Sequence, residues 1–458
     1  MNITEIIQIH QGVFSKIYCL PNGIKKTVAY YTPFQSVSIF DGDSAEVWQT
    51  IFEDKGSLDR AYNYILKNGV FEGKDKEQEA RSILLGFIEQ LKASFLVSWD
   101  GDRPPLVNKP TLNPLIAPEK DILAFMSEHH IFHNLCVELT YRCNERCLHC
   151  YCPSGEQNKE ITVENFSKLI DEFEAMGGFN LSLTGGEILI REDIEDIFKV
   201  LIGKNIVVSI ISNLTLLDDN KLDLISKIKP RSVGVSIYSA IPEIHDSVTG
   251  VKGAFNRSLD AIKKLRGKNI PVVIKTPLFN KTVDGYRGIK ELATRLECEY
   301  QFDLNIIPKH DGSSDNTNLR IMNDKAILDI FNDSPTNVYF SDELMTKGTK
   351  KELCQTICGA GQTGLTISPY GNVRPCISLA KSIGRYPEHS LAELWESTKL
   401  KEAVSGLKIE KFNQCSKCPD LDICTPCVGT WKGKDIPDSY TCFLSELKRR
   451  NQTKGGLV

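Results

Sequence analysis

Three cysteines, Cys143, Cys147 and Cys150, stand within Thr140-Tyr-Arg-Cys-Asn-Glu-Arg-Cys-Leu-His-Cys-Tyr151, a C-x3-C-x2-C spacing. Three thiolates on one short loop can hold three corners of a four-iron cluster, whose corners are each normally filled by a thiolate. The fourth iron is then open to a small molecule. The spacing is not the C-x2-C pairing of a zinc ribbon, and a structural zinc site would need a fourth protein ligand nearby. Cys152 is near in sequence, but ligands separated by one residue diverge unless the loop doubles back, so its role stays open. A second candidate is Leu181-Ser-Leu-Thr-Gly-Gly-Glu187, a short strand ending in a glycine pair and a carboxylate. Backbone without Cβ lets a ligand come close, and a carboxylate suits an ammonium group. Eight of the 15 cysteines fall between 354 and 442, as Cys354-x3-Cys358, Gly371-x4-Cys376, Cys415-x2-Cys418-x5-Cys424-x2-Cys427 and Cys442. Eight thiolates fill two four-iron clusters, and the count equally permits two zinc ribbons.

The elements that must position these residues alternate between strand and helix patterns. Strands are expected near 135–140, 181–184, 206–212, 232–238, 271–276 and 300–307, and helices include 165–176, 193–204 and 255–266. Six β–α repeats imply a parallel sheet with right-handed crossovers. Before them, residues 28–34 and 36–40 read as strands, and 43–52, 57–66 and 76–92 as helices. Ser57 is the expected cap of the second helix, Asn68-Gly69 its end, and 95–99 a closing strand. In the third helix Ile83, Leu84, Phe87, Ile88 and Leu91 share the expected apolar face. Five prolines from Pro104 to Pro118 mark a linker.

At 458 residues the chain is long enough for two or three domains. Its net charge of −4 gives no global electrostatic case for nucleic acid or an anionic membrane. Residues 1–100 hold ten Lys/Arg against thirteen Asp/Glu, the reverse of a phosphate-binding footprint. No signal peptide or spanning apolar stretch is visible, so a cytoplasmic protein is expected, with cysteines serving metals rather than disulfides.

The cysteine loop followed by Gly185, Gly186 and Glu187 resembles the radical S-adenosylmethionine (SAM) enzymes. The resemblance implies that the methionine part of SAM chelates the open iron, with Gly185, Gly186 and Glu187 hydrogen-bonding its amino group. It sharpens the α/β reading to a partial (βα)6 barrel, where active residues collect at the carboxyl ends of strands. Ser212 and Asn213 match the third-strand position that meets the ribose or methionine carboxylate. Ser236 matches the fourth-strand polar position, and Lys275 on the fifth strand is expected to pair with the carboxylate. A capping or turn role is the alternative for each. His245-Asp246 resembles the family's His-Asp turn and reads as structural.

The later cysteine field is similar to the SPASM (twitch-type) extension of these enzymes. One departure is Cys424-Thr-Pro-Cys427, a residue shorter than the usual spacing, which bears on the local loop rather than on the ligand count. The resemblance implies an interleaved assignment. Cys354, Cys358, Cys376 and Cys427 would hold the nearer auxiliary cluster, and Cys415, Cys418, Cys424 and Cys442 the farther one. That makes three [4Fe-4S] clusters, of which only the SAM-binding one is open. Cys19, Cys136 and Cys298 are expected to be buried structural thiols.

The segment Ser36 to Trp48 is similar to peptide-recognition domains fused to peptide-modifying radical SAM enzymes, in which a leader peptide adds a strand to a winged-helix sheet. A dimerisation or packing domain is the alternative. The expected organisation is a winged-helix-like leader-recognition domain at 1–100, a linker at 101–130 and the barrel at 131–310. A bridging segment at 311–350 leads to a cysteine-rich auxiliary cluster domain at 351–458.

The function implied is a maturase of ribosomally made peptides (RiPPs). It cleaves SAM reductively to a 5′-deoxyadenosyl radical, takes hydrogen from a precursor peptide and installs a thioether, C–C or C–O cross-link. A flavodoxin or ferredoxin-type protein would be the reductant. Formylglycine formation of the sulfatase-maturase kind and peptide epimerisation are enzymatic alternatives. An iron–sulfur or zinc scaffold or electron carrier is the non-enzymatic one. No catalytic base can be named among the barrel residues.

Overall fold

The computed structural model describes residues 7–453 apart from 11, 21, 32–35, 72, 74, 95, 100–116, 154–158, 311, 334–351, 425 and 432–436. The chain divides into two compact units, the first formed chiefly by residues before 100 and the second chiefly by residues from 123 onward. Most of the proline-rich linker and the later part of the bridging segment lie outside the described residues. The last stretch of the expected linker is instead a helix, Ala117–Glu128. Pro118 falls in its first turn, where the missing N–H has no partner to lose.

In the first unit, β1 (Ile7–Ile9) pairs antiparallel with β5 (Val97–Trp99). Strands β2 (Val13–Cys19), β3 (Lys25–Tyr31) and β4 (Ser36–Asp41) form an antiparallel sheet in the order β2-β3-β4. Helices α1 (Asp43–Glu53), α2 (Asp59–Asn68) and α3 (Lys76–Ala93) pack a core around Trp48, Ile51, Ala61, Leu84 and Ile88. The sequence reading missed β1 and β2. The buried face of β2 carries Ser15, which breaks the apolar alternation. Its hydroxyl accepts from Trp48 Nε1 at 2.9 Å and donates to Gln49 Oε1 at 3.2 Å, so the polar group is satisfied inside the core. Two local expectations are corrected. Helix α2 starts after Leu58, with no side-chain cap from Ser57. On α3 the buried stripe is Ala80, Leu84, Ile88 and Leu91, while Ile83 is 47% exposed.

The second unit is organised by a nine-stranded sheet in the order β11-β10-β9-β8-β7-β6-β12-β13-β14. Its parallel strands are β6 (Asn134–Glu138), β7 (Asn180–Thr184), β8 (Val207–Ser212), β9 (Ser232–Ser236), β10 (Val272–Pro277) and β11 (Glu299–Asp303). Strand β11 is shorter than its apolar run suggested, because Asp303 Oδ1 accepts from Asn305 N at 2.8 Å and turns the chain. The helices Val163–Ala175, Ile194–Leu201 and Ala254–Gly267 lie at or within a few residues of the expected positions. Leu135, Val137, Leu181, Leu183, Ile210, Val235 and Phe302 are buried, as parallel strands covered on both faces require.

The sheet does not stop at six strands. Strand β12 (Gly364–Ile367) adds parallel to β6, followed by antiparallel β13 (Asn372–Arg374) and β14 (Gly384–Arg385). The cysteine-rich region therefore continues the barrel sheet. Gly371 has φ +83° in the turn between β12 and β13, and an added Cβ there would lie 2.0 Å from Tyr386 O. A glycine is needed for that turn, which leads the chain towards Cys376.

Candidate metal centre

The cysteine loop leaves the carboxyl end of β6 and is held by the ends of its neighbours. Leu139 N donates to Thr184 O at 2.8 Å, Gly186 N to Thr140 O at 2.7 Å and Glu187 N to Arg142 O at 2.9 Å. Farther along, Arg146 N reaches Thr249 O at 2.8 Å and His310 N reaches Tyr151 O at 3.0 Å. Asn316 Nδ2 donates to His149 O at 3.3 Å. From below, buried Arg191 donates to Leu139 O at 2.7 Å and Ile161 O at 2.9 Å.

The glycine pair serves this loop first. Gly185 has φ +135° and an added Cβ would sit 2.3 Å from Thr140 O. At Gly186 it would sit 2.3 Å from Arg142 O. The close approach is thus to the backbone of the cysteine loop itself.

Glu187 is fully buried. Its Oε1 accepts from Leu189 N at 2.9 Å and Ser212 Oγ at 2.7 Å, and its Oε2 from Asn213 N at 2.7 Å. Burial nevertheless holds its carboxyl above the usual carboxylate range. The carboxylate therefore ties β7 to β8. Asn213 continues the chain of contacts, donating from Nδ2 to Asn144 Oδ1 at 2.9 Å, while Asn144 Nδ2 donates to Thr215 Oγ1 at 2.7 Å. Gly185, Gly186, Glu187, Ser212 and Asn213 are thus gathered around the loop. Ser236, at the end of β9, is near the Tyr238 hydroxyl. Among the described residues Lys275 makes no hydrogen bond to that group. Its Nζ donates to Gln301 Oε1, and burial lowers it to about 8 despite the nearby Asp303 carboxylate. Desolvation likewise pushes the carboxyl of Asp303, which is half-buried, up to about 6.

The three loop thiols lie within electrostatic reach of one another. Burial pushes Cys143 up to about 11 and Cys147 well up, while Cys150 is held down to about 7 by a hydrogen bond from the Cys152 thiol. Cys152 Sγ also lies 3.6 Å from Gly185 O. Glu145 Oε1 and His149 Nδ1, on the same loop, are buried and have no hydrogen-bond partner among the described residues. A bound metal favours the thiolate form of such crowded, half-buried thiols, and orphaned polar atoms suit a cavity that receives a polar group. The residues fit an iron–sulfur cluster with a polar ligand.

Of the later cysteines, Cys358, Cys376 and Cys427 lie within electrostatic reach of one another, and Cys415 is within reach of Cys418, Cys424 and Cys442. Cys354 is exposed, with Sγ 3.6 Å from Glu352 Oε2. Of the thiols expected to be buried, Cys19 is exposed, whereas burial pushes both Cys136 and Cys298 up to about 12. Sequence reasoning missed a buried network between the two cysteine fields. The Arg374 guanidinium pairs with Glu138, which accepts from Tyr141 Oη at 2.9 Å, and Arg374 Nη1 lies 3.1 Å from His310 Nδ1. It also passed over Tyr238, which the period-2 pattern of Val235-Ser-Ile-Tyr238 places on the face of Ser236.

Residues 137–292 match the Radical SAM superfamily, and residues 358–419 match SPASM, an iron–sulfur cluster-binding domain. These two stretches are thus a radical SAM domain and a SPASM domain, and SAM binding and iron–sulfur clusters belong to domains of those kinds. It is 26% identical over 306 residues to the antilisterial bacteriocin subtilosin biosynthesis protein AlbA of Bacillus subtilis (strain 168). That match covers 63% of this chain and 66% of that protein, just under two thirds. It is also 26% identical over 324 residues to the AdoMet-dependent heme synthase of Methanosarcina barkeri (strain Fusaro / DSM 804), covering 63% of this chain and 89% of that one. The solved structure of Streptococcus suis SuiB bound to precursor peptide SuiA aligns with a TM-score of 0.60 at 15% identity. It covers 95% of this chain and 100% of that chain, a likeness of fold. Among the described residues no helix is long and apolar enough to cross a membrane.

Proposed function

We propose that this protein matures a ribosomally made precursor peptide by installing a side-chain cross-link, a thioether, C–C or C–O bond. The observation that carries the peptide reading is the three-stranded sheet of the first unit, in which β4 is an edge strand with half-buried side chains from Val37 to Phe40. Such an edge offers unpaired backbone groups to an added strand, the mode by which a leader peptide would dock. The fold likeness to a peptide-bound protein over 95% of the chain supports it, because that span takes in this unit.

Cys143, Cys147 and Cys150 would hold the open cluster. Cys354, Cys358, Cys376 and Cys427 would hold one auxiliary cluster, and Cys415, Cys418, Cys424 and Cys442 the other. When bound, SAM supplies a 5′-deoxyadenosyl radical on one-electron reduction, the cofactor's own chemistry. The protein's part is positional. Glu187, Ser212 and Asn213 brace the loop from β7 and β8, and the buried Glu138–Arg374 pair links the base of the loop to the strand that precedes Cys376. Two fully ligated clusters would pass electrons rather than bind substrate, and a flavodoxin or ferredoxin-type protein would supply the first electron.

The test is reaction of the anaerobically reconstituted protein with a candidate precursor, followed by mass spectrometry. A cross-link shows as a loss of two hydrogens with fragmentation blocked between the joined residues; an unchanged mass favours epimerisation instead. Deleting residues 1–99 should abolish precursor affinity, and unchanged affinity and turnover would sink the leader reading. Reconstitution should yield about twelve irons per chain, falling to about eight when Cys143, Cys147 and Cys150 are all alanine.

A further inference from the structure

Hydrogen bonds to ligand sulfurs are among the factors that set the reduction potential of an iron–sulfur cluster. In the cysteine loop one such bond comes from the loop's own backbone, where Glu145 N donates to Cys143 Sγ at 3.4 Å. Cys147 differs. Its sulfur lies 3.4 Å from the hydroxyl of Tyr238, a side chain that follows β9 and is ninety-one residues away in the chain.

We infer that Tyr238 is a positioning residue that tunes the open cluster by donating its hydroxyl proton to the Cys147 thiolate. A metal-bound cysteine carries no proton, so in that state only the phenol can donate across this contact. Glu145 Oε2 also lies 3.5 Å from Cys147 Sγ, and in its ionised form it brings no donor to a thiolate.

The rest of the structure holds the phenol to this task. Tyr238 is 4% exposed and packs with Val248, Phe279 and Ile306 against Cys147. Its ring stacks on His245 at 5.3 Å with a 26° interplanar angle and meets His149 edge-on at 4.9 Å. The Tyr238 backbone N–H donates to His245 Nδ1 at 3.2 Å, which requires that nitrogen to be unprotonated. Asp246 then accepts from Gly253 N at 2.5 Å and Phe255 N at 3.0 Å, anchoring the helix Pro242–Thr249 that carries His245. The His-Asp turn thus has a definite task, to aim Tyr238 at one sulfur.

A donor to sulfur favours the reduced, more negative cluster, so its removal makes reduction harder. The experiment is a redox titration of the anaerobically reconstituted full chain, following the EPR signal that changes on SAM addition. Tyr238→Phe keeps the ring and its stacking. It is expected to shift the reduction equilibrium roughly tenfold towards the oxidised cluster, about 59 mV more negative for a one-electron couple, with iron content unchanged. Installing 3-fluorotyrosine at Tyr238, a stronger donor of the same shape, should shift the potential the other way. An unshifted potential in both proteins overturns the inference, as does loss of iron in Tyr238→Phe, which would make the residue one of cluster assembly. The inference rests on Cys147 holding iron. Failure of that reading would show separately, as an undiminished iron count when the three loop cysteines are alanine.

Discussion

Glu187 shows how a motif residue acquires a task that its position in the sequence does not state. The carboxylate at a strand end suggested a partner for an ammonium group. In the structure both of its oxygens are taken by Leu189 N, Ser212 Oγ and Asn213 N, all buried. Replacing it with alanine strands those donors, at about 1–3 kcal/mol for each left unsatisfied. Glu187→Ala should therefore lower the urea midpoint by more than Glu187→Gln, which keeps one acceptor oxygen while its amide nitrogen faces the donor at the other. If the two variants unfold alike, the carboxylate is not bracing β7 against β8. What the sequence made legible at this scale was residue type and spacing. The cysteines, the glycine pair and Glu187 stood out because few other uses explain them together. Partners that arrive from another strand were not legible. Tyr238, Arg374 and Asn316 reach the loop from beyond residue 230, and no local pattern marks a residue by what it will meet.

At the scale of elements, the barrel strands were readable because their apolar runs are bounded by turn residues and separated by helical periods. Strand β2 was not readable, since Ser15 on its inner face is satisfied by tertiary contacts. The amino end of β6 carries a pH-dependent element. His133 N donates to Thr363 O at 2.9 Å, and its Nε2 lies 3.1 Å from Asn180 Nδ2, an amide donor, so the ring must accept and stay neutral. Burial lowers it to about 4. The unfolded chain binds a proton near 6.5, so between those values the unfolded state holds more protons than the folded one. Stability from this group is present above about pH 6.5 and is lost as the pH falls towards 4, by up to about 3 kcal/mol. Urea unfolding at pH 5 and pH 7 should show the loss, and His133→Gln should reduce it, leaving the share of His149 and His245, which burial also lowers to about 4. A midpoint independent of pH across that window would contradict the assignment.

For the whole molecule, the sequence divided the cysteines into fields, and the structure joins the fields through one sheet. Nothing in the run Gly364–Ile367 distinguishes an added barrel strand from a local hairpin, because its partner β6 lies far upstream. The pairing has a consequence for how the chain is made. Asn134 is opposite Gly364, so the chain must grow by 230 residues from Asn134 before the outer neighbour of the first barrel strand begins to exist. Until then β6, with the cysteine loop at its tip, has one bare edge, the kind of edge that pairs with the wrong partner. Such long-range pairing is slow to form. A chain ending before 364 should accumulate as insoluble protein, and one ending just beyond β14 should recover solubility, as a pellet-to-supernatant ratio from cells would reveal. Equal solubility of the two would remove this dependence. In the living cell, loading of the open cluster would then be timed by translation, waiting on a strand that is synthesised last among the barrel's own neighbours.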